Sequence, residues 1–463
     1  MRLSPAPLLL AGTLLAAPAL ADTLPQAIAS AYSSNPEIAG ARAQLRQVDE
    51  DLPLARSGTR PSVGLSGGVT QELSDRFGDS GRRSNAGVSL NQSIWEGGRI
   101  RATISAAEAR ILAARARVRA IEYQIIVDTV TAYADVLRTR EIVKLNQNQV
   151  NVLQQQLRAS RDRFEVGDVT RTDVAQSDAR LAAAQSNLIA SRGVTVLAEQ
   201  AYQRLVGRPP LDLQPLPPLP VVPPSPEAAR DIAFANNPSL LAARLEEKAA
   251  ADDVRAAKAQ RLPSIGVNAL AQYSHFSGGD LGGRSGFNPQ LGLSASVPFF
   301  TGGAITSGVR RSQARQSERL EDISLSERLV SESATDNWTL VQTADAVIVS
   351  SRVQVSANQL AAEGVRQENQ VGSRDILDVL NAEQELLNSR VNLVQAEREK
   401  YVAAYRLYAT MGDLEIVLAN APVGRYDPAA NTNRVRNSWD EFGADPDPRT
   451  DRQRNLVPLV GPQ

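Results

Sequence analysis

The sequence has no cysteine and a single histidine in 463 residues. That excludes disulfide frameworks, thiol catalysis, zinc fingers and any metal site built on clustered histidines. No acid, base and nucleophile set can be assembled from what remains, so neither an enzyme nor a cofactor is expected. Aromatic residues make up only 4% of the chain, too few for a platform that stacks bases. An excess of charge is lacking too: 50 Lys+Arg stand against 51 Asp+Glu, a net −1. No nucleic-acid partner is expected, since such proteins carry a strongly basic footprint. No apolar run beyond the N-terminus reaches the ~20 residues of a membrane helix.

What is present begins with an export signal. Arg2 supplies a positive start, Leu8, Leu9, Leu10, Leu14 and Leu15 a short apolar core, and Ala19-Leu20-Ala21 a small-residue cleavage site. Residues 1–21 therefore read as a secretory signal peptide, and the mature chain is expected to begin at Asp22. No cysteine follows to carry a lipid anchor. An exported chain without a spanning helix is either soluble or inserts as strands, because only helices and closed barrels satisfy the backbone in lipid.

The chain is written twice. Asn35-Pro36 recurs as Asn237-Pro238, and Pro61-Ser62-Val63-Gly64 as Pro263-Ser264-Ile265-Gly266, both 202 positions on. From Gly97-Gly98 to Gly302-Gly303 the offset becomes 205, and it holds for Val166-Gly167 with Val371-Gly372 and for Gly207 with Gly412. The expected units are a first repeat over 22–207, a connector over 208–226 and a second repeat over 227–412. The connector holds nine prolines and reads as extended. The tail, 413–463, is rich in Arg, Asp, Asn and Pro without a period and is expected to be disordered.

Each repeat reads as helix, strand pair, very long helix, turn, long helix. Period-two alternation marks strands at about 61–73, 84–95, 263–275 and 288–299, with one face apolar and the other Gly, Ser and Asn. Ten-residue strands of that kind suit the wall of a lipid-embedded barrel, and Trp95, Phe299 and Phe300 suit its aromatic girdle. Between Gly98 and Gly167 there is no proline, and apolar residues recur at steps of three and four. A helix of that length spans about 100 Å. The return arm from Asp168 and an early helix from Pro36 to Thr59 would together match it end to end, and Ser239 to Leu262 repeats that early helix. Four strands cannot close a barrel, and an open edge cannot sit in lipid. Copies must therefore combine; three would give twelve strands, although the strands alone leave two or four copies open.

Several motifs then carry a resemblance. Gln-Ser-Ile-Trp-Glu-Gly-Gly-Arg over 92–99 and Val-Pro-Phe-Phe-Thr-Gly-Gly over 297–303 resemble the strand-to-helix corners of the TolC family of outer-membrane efflux proteins. Phe-Glu-Val-Gly over 164–167 and Asn-Gln-Val-Gly-Ser-Arg-Asp-Ile-Leu-Asp-Val-Leu over 369–380 resemble its two hairpin turns. The resemblance covers nearly the whole mature chain. It implies a homotrimer: a 12-stranded β-barrel in outer-membrane lipid, continued by an α-helical barrel through the periplasm. It also implies a periplasmic adaptor and an inner-membrane pump as partners, in drug efflux or type I secretion.

By the same resemblance Asp378 falls on a pore carboxylate, and Asn381 stands where the family has a second one. Arg374 falls on the arginine of a closing network, with Thr172 and Asp173 as its partners, while Asn369 replaces a tyrosine of that network. Gly167 and Gly372 would shape the turns that receive the adaptor, and Gly97, Gly98, Gly302 and Gly303 the strand–helix corners. Independently of resemblance, a carboxylate ring in a narrow pore favours cations. Asp173 and Asp378 could instead simply begin their helices, where a carboxylate suits the dipole. Three weaker signals are set aside. Gly-Asp-Ser-Gly over 78–81 reads as a surface turn, His275 as an exposed loop residue, and Asp252-Asp253 as a solvated helix face. A non-channel alternative is an exported coiled-coil scaffold or adaptor-like periplasmic protein. It would need neither lipid-facing alternation nor a closed sheet.

Overall fold

The structure, a computed structural model, describes residues 22–71, 81–278, 283–414, 421–422, 424–439 and 441. It opens with three helices, α1 (Leu24–Ser34), α2 (Pro36–Asp49) and α3 (Asp51–Ser57), followed by strands β1 (Ser62–Gln71) and β2 (Gly81–Trp95). The long α4 (Arg99–Glu165) and its return α5 (Arg171–Val206) complete the first half. The second half repeats it with α6 (Pro226–Asn236), α7 (Pro238–Ala259), β3 (Ser264–Gly278), β4 (Arg284–Ser296), α8 (Ala304–Gln370) and α9 (Ile376–Met411). A short α10 (Ala430–Val435) follows. α4 and α8 each run 67 residues and α5 and α9 each 36, every pair 205 positions apart.

The repeated Asn-Pro motif has a local cause. Asn35 and Asn237 each end one helix and cap the next. The Asn35 side chain accepts from the Glu37 amide at 2.8 Å, and that of Asn237 from Ser239 at 2.9 Å and Leu240 at 3.1 Å. Pro36 and Pro238 occupy the first helical turn, where a missing N–H loses nothing.

The strands form one antiparallel sheet in the order β1-β2-β3-β4. Cross-strand partners share a face, so the register sorts the side chains. One face carries the rows Val63–Leu90–Ala269–Leu291 and Leu65–Val88–Ala271–Pro289. The other carries Ser62–Asn91–Asn268–Gly292 and Ser66–Gly87–Gln272–Asn288. The apolar face is bare: Leu65 is 85% exposed, and Leu291 81%. At each strand-to-helix corner both glycines of the pair take positive φ, 60° and 85°, which side chains with a Cβ rarely adopt.

Towards the sheet the helices lie as α2 and α3 beside α4, then α7, then α8; towards the turns they lie as α5, α4, α9, α8. The main core sits where these levels meet. It joins α1, Tyr123–Val136 of α4, Tyr202–Val206 of α5 and Tyr401–Met411 of α9. The connector crosses this belt in extended form and is held by three aromatic donors. Tyr133 donates to the Gln214 carbonyl at 2.7 Å, Tyr408 to Val221 at 2.7 Å and Trp338 to Pro223 at 2.9 Å. Burial raises the Tyr133 hydroxyl pKa to about 12.

Four expectations are corrected. The helix expected over Pro36–Thr59 is two, broken at Glu50, before the Leu52-Pro53 step of the next helix. The second and third strands extend into the stretches read as turns, so Arg82, Arg83 and His275 stand on strands; the His275 Nδ1 meets the Ser285 hydroxyl at 2.8 Å. Residues 78–80 of the glycine-rich turn lie outside the described residues. Asp252 is not solvated: it is fully buried, accepts from Ser105 at 2.6 Å and pairs with Arg255.

The tail, finally, is folded over part of its length, because buried polar groups of the first repeat bind it. Asp49 accepts from Asn431 at 2.9 Å and Thr432 at 2.6 Å. The Arg42 guanidinium, paired with Glu122 at 2.8 Å, lies between the rings of Tyr32 and Tyr426 at 4.6 and 4.5 Å. Burial likewise lifts the Tyr32 hydroxyl pKa to about 12.

Candidate tunnel aperture at the hairpin tips

The two hairpin turns are built alike. The Gly167 amide donates to Phe164 at 3.0 Å and that of Asp168 to Arg163 at 2.9 Å. Gly372 donates to Asn369 at 3.1 Å and Ser373 to Glu368 at 3.0 Å. This doubly bonded helix end requires a left-handed residue, and Gly167 (φ 79°) and Gly372 (φ 78°) supply it. Val166 and Val371 project beside them, 80% and 81% exposed.

The starts of the return helices differ. At α5, Thr170 and Asp173 form a closed capping box: Asp173 accepts from the Thr170 amide and hydroxyl, both at 2.8 Å. At α9 the equivalent of Thr170 is Asp375, whose side chain makes no cap bond. Asp378 is thereby left without a box and faces Arg374 at 3.4 Å. Arg374 also donates to Glu368 at 2.8 Å, and the two carboxylates raise its already high pKa further.

The sequence-expected residues therefore fall into two groups within one chain. Arg374 and Asp378 meet. Thr172 and Asp173 do not reach them; Asp173 serves as a helix cap, and Thr172 is exposed. Asn381 accepts from Arg180 of α5 at 3.0 Å, which ties the two hairpins together. The sequence reading missed a second tie, between the turns themselves. Arg163, in the last turn of α4, donates to the Asn369 side chain at 3.4 Å and to its carbonyl at 3.1 Å. Asn369 in turn donates to the Arg374 carbonyl at 2.8 Å. A cation closing a helix C-terminus is a common device, which is why Arg163 raised no signal. Behind the tips, Ile376, Val379 and Leu380 of α9 pack with Val150, Leu153, Ala184 and Leu188 into a small apolar core. The carboxylates thus stand on a rigid base with their heads in water.

Comparison with known proteins agrees with this geometry. The outer membrane efflux protein family matches residues 27–208 and 229–413, the two repeats. The chain is 33% identical over 436 residues to the outer membrane efflux protein BepC of Brucella suis, covering 94% of this chain and 95% of BepC. It is 26% identical over 419 residues to the outer membrane protein TolC of Escherichia coli, covering 85% and 83% respectively. Among solved structures, the outer membrane protein VceC of Vibrio cholerae superposes with a TM-score of 0.74, covering 84% of this chain and 96% of that one. At 22% identity that likeness shows the fold alone. Sheet, long helices, duplication and sequence together place the chain in the outer membrane, extending into the periplasm, as an exit duct: it belongs to the outer membrane efflux protein family.

Proposed function

We propose that three copies close head to tail into one duct, a 12-stranded barrel continued by twelve helices. One observation carries this reading. The helical layer has two edges that none of the described residues covers: α8 bares Leu329, Leu340, Val349, Val353 and Leu360, and α5 bares Ile189, Val196 and Leu197. Leu360 is 73% exposed and Leu197 70%. Different edges that complete one another generate a ring, and the free strands β1 and β4 need the same closure in lipid. The distal end of the ring is the hairpin tips, where three Asp378 carboxylates would face one another as a cation-favouring constriction, lined by Asn381. Arg374 is the latch residue. It pairs within its own chain with Asp378, and Thr172 and Asp173 of a neighbour are its proposed partners across the joint. Exposed Arg–carboxylate links are weak singly, which suits a closure that must open. The turns at Gly167 and Gly372, with Val166 and Val371 bare, are the docking points for a periplasmic adaptor. An inner-membrane pump then feeds the duct with toxic small molecules or a secreted protein.

The test has two parts. Deleting the gene should raise drug sensitivity or abolish export of a secreted protein; a strain unchanged in both would remove the transport role. Arg374→Ser should raise single-channel conductance in planar bilayers, and unchanged currents would reject the latch.

A further inference from the structure

The sheet carries a charge pattern that the duct reading does not use. The register continues past the apolar band to a last row, Thr70–Arg83–Phe276–Arg284, at the end of the strands farthest from the helices. Alternation puts this row on the face of Asn85, Ser274, Asn288 and Gln290, away from Val63, Leu65, Val88 and Leu291. If the bare apolar face meets lipid, both arginines point into the lumen. The four strands contain no Asp or Glu at all, and Arg83 and Arg284 are the only charged residues that the described strands place on the lumen face. Both are exposed, and neither has an ion-pair partner among the described residues. Arg83 lies over the Phe276 ring, 5.9 Å from its centroid, which holds the guanidinium in the row.

We propose that Arg83 and Arg284 form a cationic collar inside the outer mouth of the barrel, drawing anions and anionic cargo through it. The proposal rests on the trimeric duct described above. Twelve strands about 4.8 Å apart and tilted about 40° enclose a barrel about 24 Å across its backbone. Arginines reaching about 6 Å inward bring six guanidinium groups to about 6 Å from the axis. That is inside the Debye length of about 8 Å at physiological salt, so every ion that crosses the mouth feels the collar incompletely screened. Rings of arginine select anions as rings of carboxylate select cations. The duct would then be polar in charge as well as in shape, with carboxylates at the periplasmic tips and guanidinium groups at the exit. Glu72, Asp75, Asp79 and Asp280 of the adjoining loops lie outside the described residues; if they neutralised the collar, the substitutions below would have no effect.

The experiment uses purified full-length protein in planar bilayers, with three substitutions compared in a chain also carrying Asp378→Asn. That change removes the carboxylate proposed to ring the constriction, so that the outer mouth weighs more in the selectivity. Under a potassium chloride gradient, Arg83→Gln with Arg284→Gln should shift the reversal potential towards potassium. Inorganic pyrophosphate added on the barrel side should reduce the current of the parent and not that of the double variant. Arg82→Gln, on the opposite face of the same strand, should change neither. Unchanged selectivity and unchanged pyrophosphate block in the double variant would overturn the collar. A parent protein that forms no channel at all would overturn the duct itself, and the two failures are told apart by whether current flows.

Discussion

The helices α4 and α8 have the same length and stand at the same place in their repeats, yet 26 residues of α4 are buried and only 9 of α8. α4 lies in the interior of the helical layer, flanked by α5, α7, α9 and the N-terminal helices, whereas α8 forms its edge. The hairpin starts diverge in the same way: Thr170 closes a capping box with Asp173, while Asp375 leaves Asp378 to Arg374. Duplication has kept the long hairpins of both halves at the same lengths. Substitution has then buried α4 inside the chain, left α8 at its edge and freed Asp378 to pair with Arg374.

The largest effect should come from charging the two long helices in turn. Val353→Asp with Leu360→Asp on α8 should leave helicity intact and abolish the trimer in detergent, because a charge sealed in an interface without a partner costs several kcal/mol. Val130→Asp on α4, fully buried within the chain, should instead prevent folding. Trimers that survive the α8 changes would mean that this edge is not the joint.

A smaller effect separates the repeats at the level of the belt. Asp49 holds the C-terminal helix, but its counterpart 202 positions on is Ala251, with no tail to hold. Asp49→Ala should leave two buried donors unmatched and cost about 2–4 kcal/mol, read as a lower thermal midpoint and faster proteolysis of the tail. Equal proteolysis in parent and variant would show that Asp49 does not fix the tail.

At the tips the difference should be smaller still. Thr170→Ala should destabilise the first turn of α5 by about 1 kcal/mol. Asp375→Ala, which removes no cap bond, should change the start of α9 less. Amide hydrogen exchange in the two turns would read the contrast, and equal effects would erase it.

A last contrast shows only in alkali. Tyr133 is replaced in the second half by Trp338, which has no titrating group. Because the folded Tyr133 hydroxyl is raised to about 12, an unfolded chain loses that proton first, near pH 10. The contribution is therefore complete below pH 10 and lost as pH climbs to about 12. Tyr133→Phe should flatten the fall in stability over that window, and an unaltered slope would place the alkaline sensitivity elsewhere.

Much of this was legible in sequence because two periods dominate it. The alternation of Val63, Leu65, Val69 and of Ile265, Val267, Ala269 wrote the sheet, and a proline-free stretch wrote each long helix within a residue or two of its bounds. The strand ends were hidden because arginine, serine and histidine carry no strand signal at a mouth where neither lipid nor core selects them. The tail was hidden because its order comes from Asp49 and Arg42, nearly four hundred positions away, rather than from any periodicity of its own. At the tip the resemblance pointed to Arg374 and Asp378, which lie 3.4 Å apart, but not to Arg163 and its bond to Asn369, since only the packed turns bring those together.

The most direct test of the ring is the mass of the detergent-extracted protein under native conditions. A single species of three chains, falling to one chain in Val353→Asp with Leu360→Asp, is the expected result. A wild-type species of one, two or four chains would contradict the closure of α8 onto α5, and with it the twelve-stranded exit.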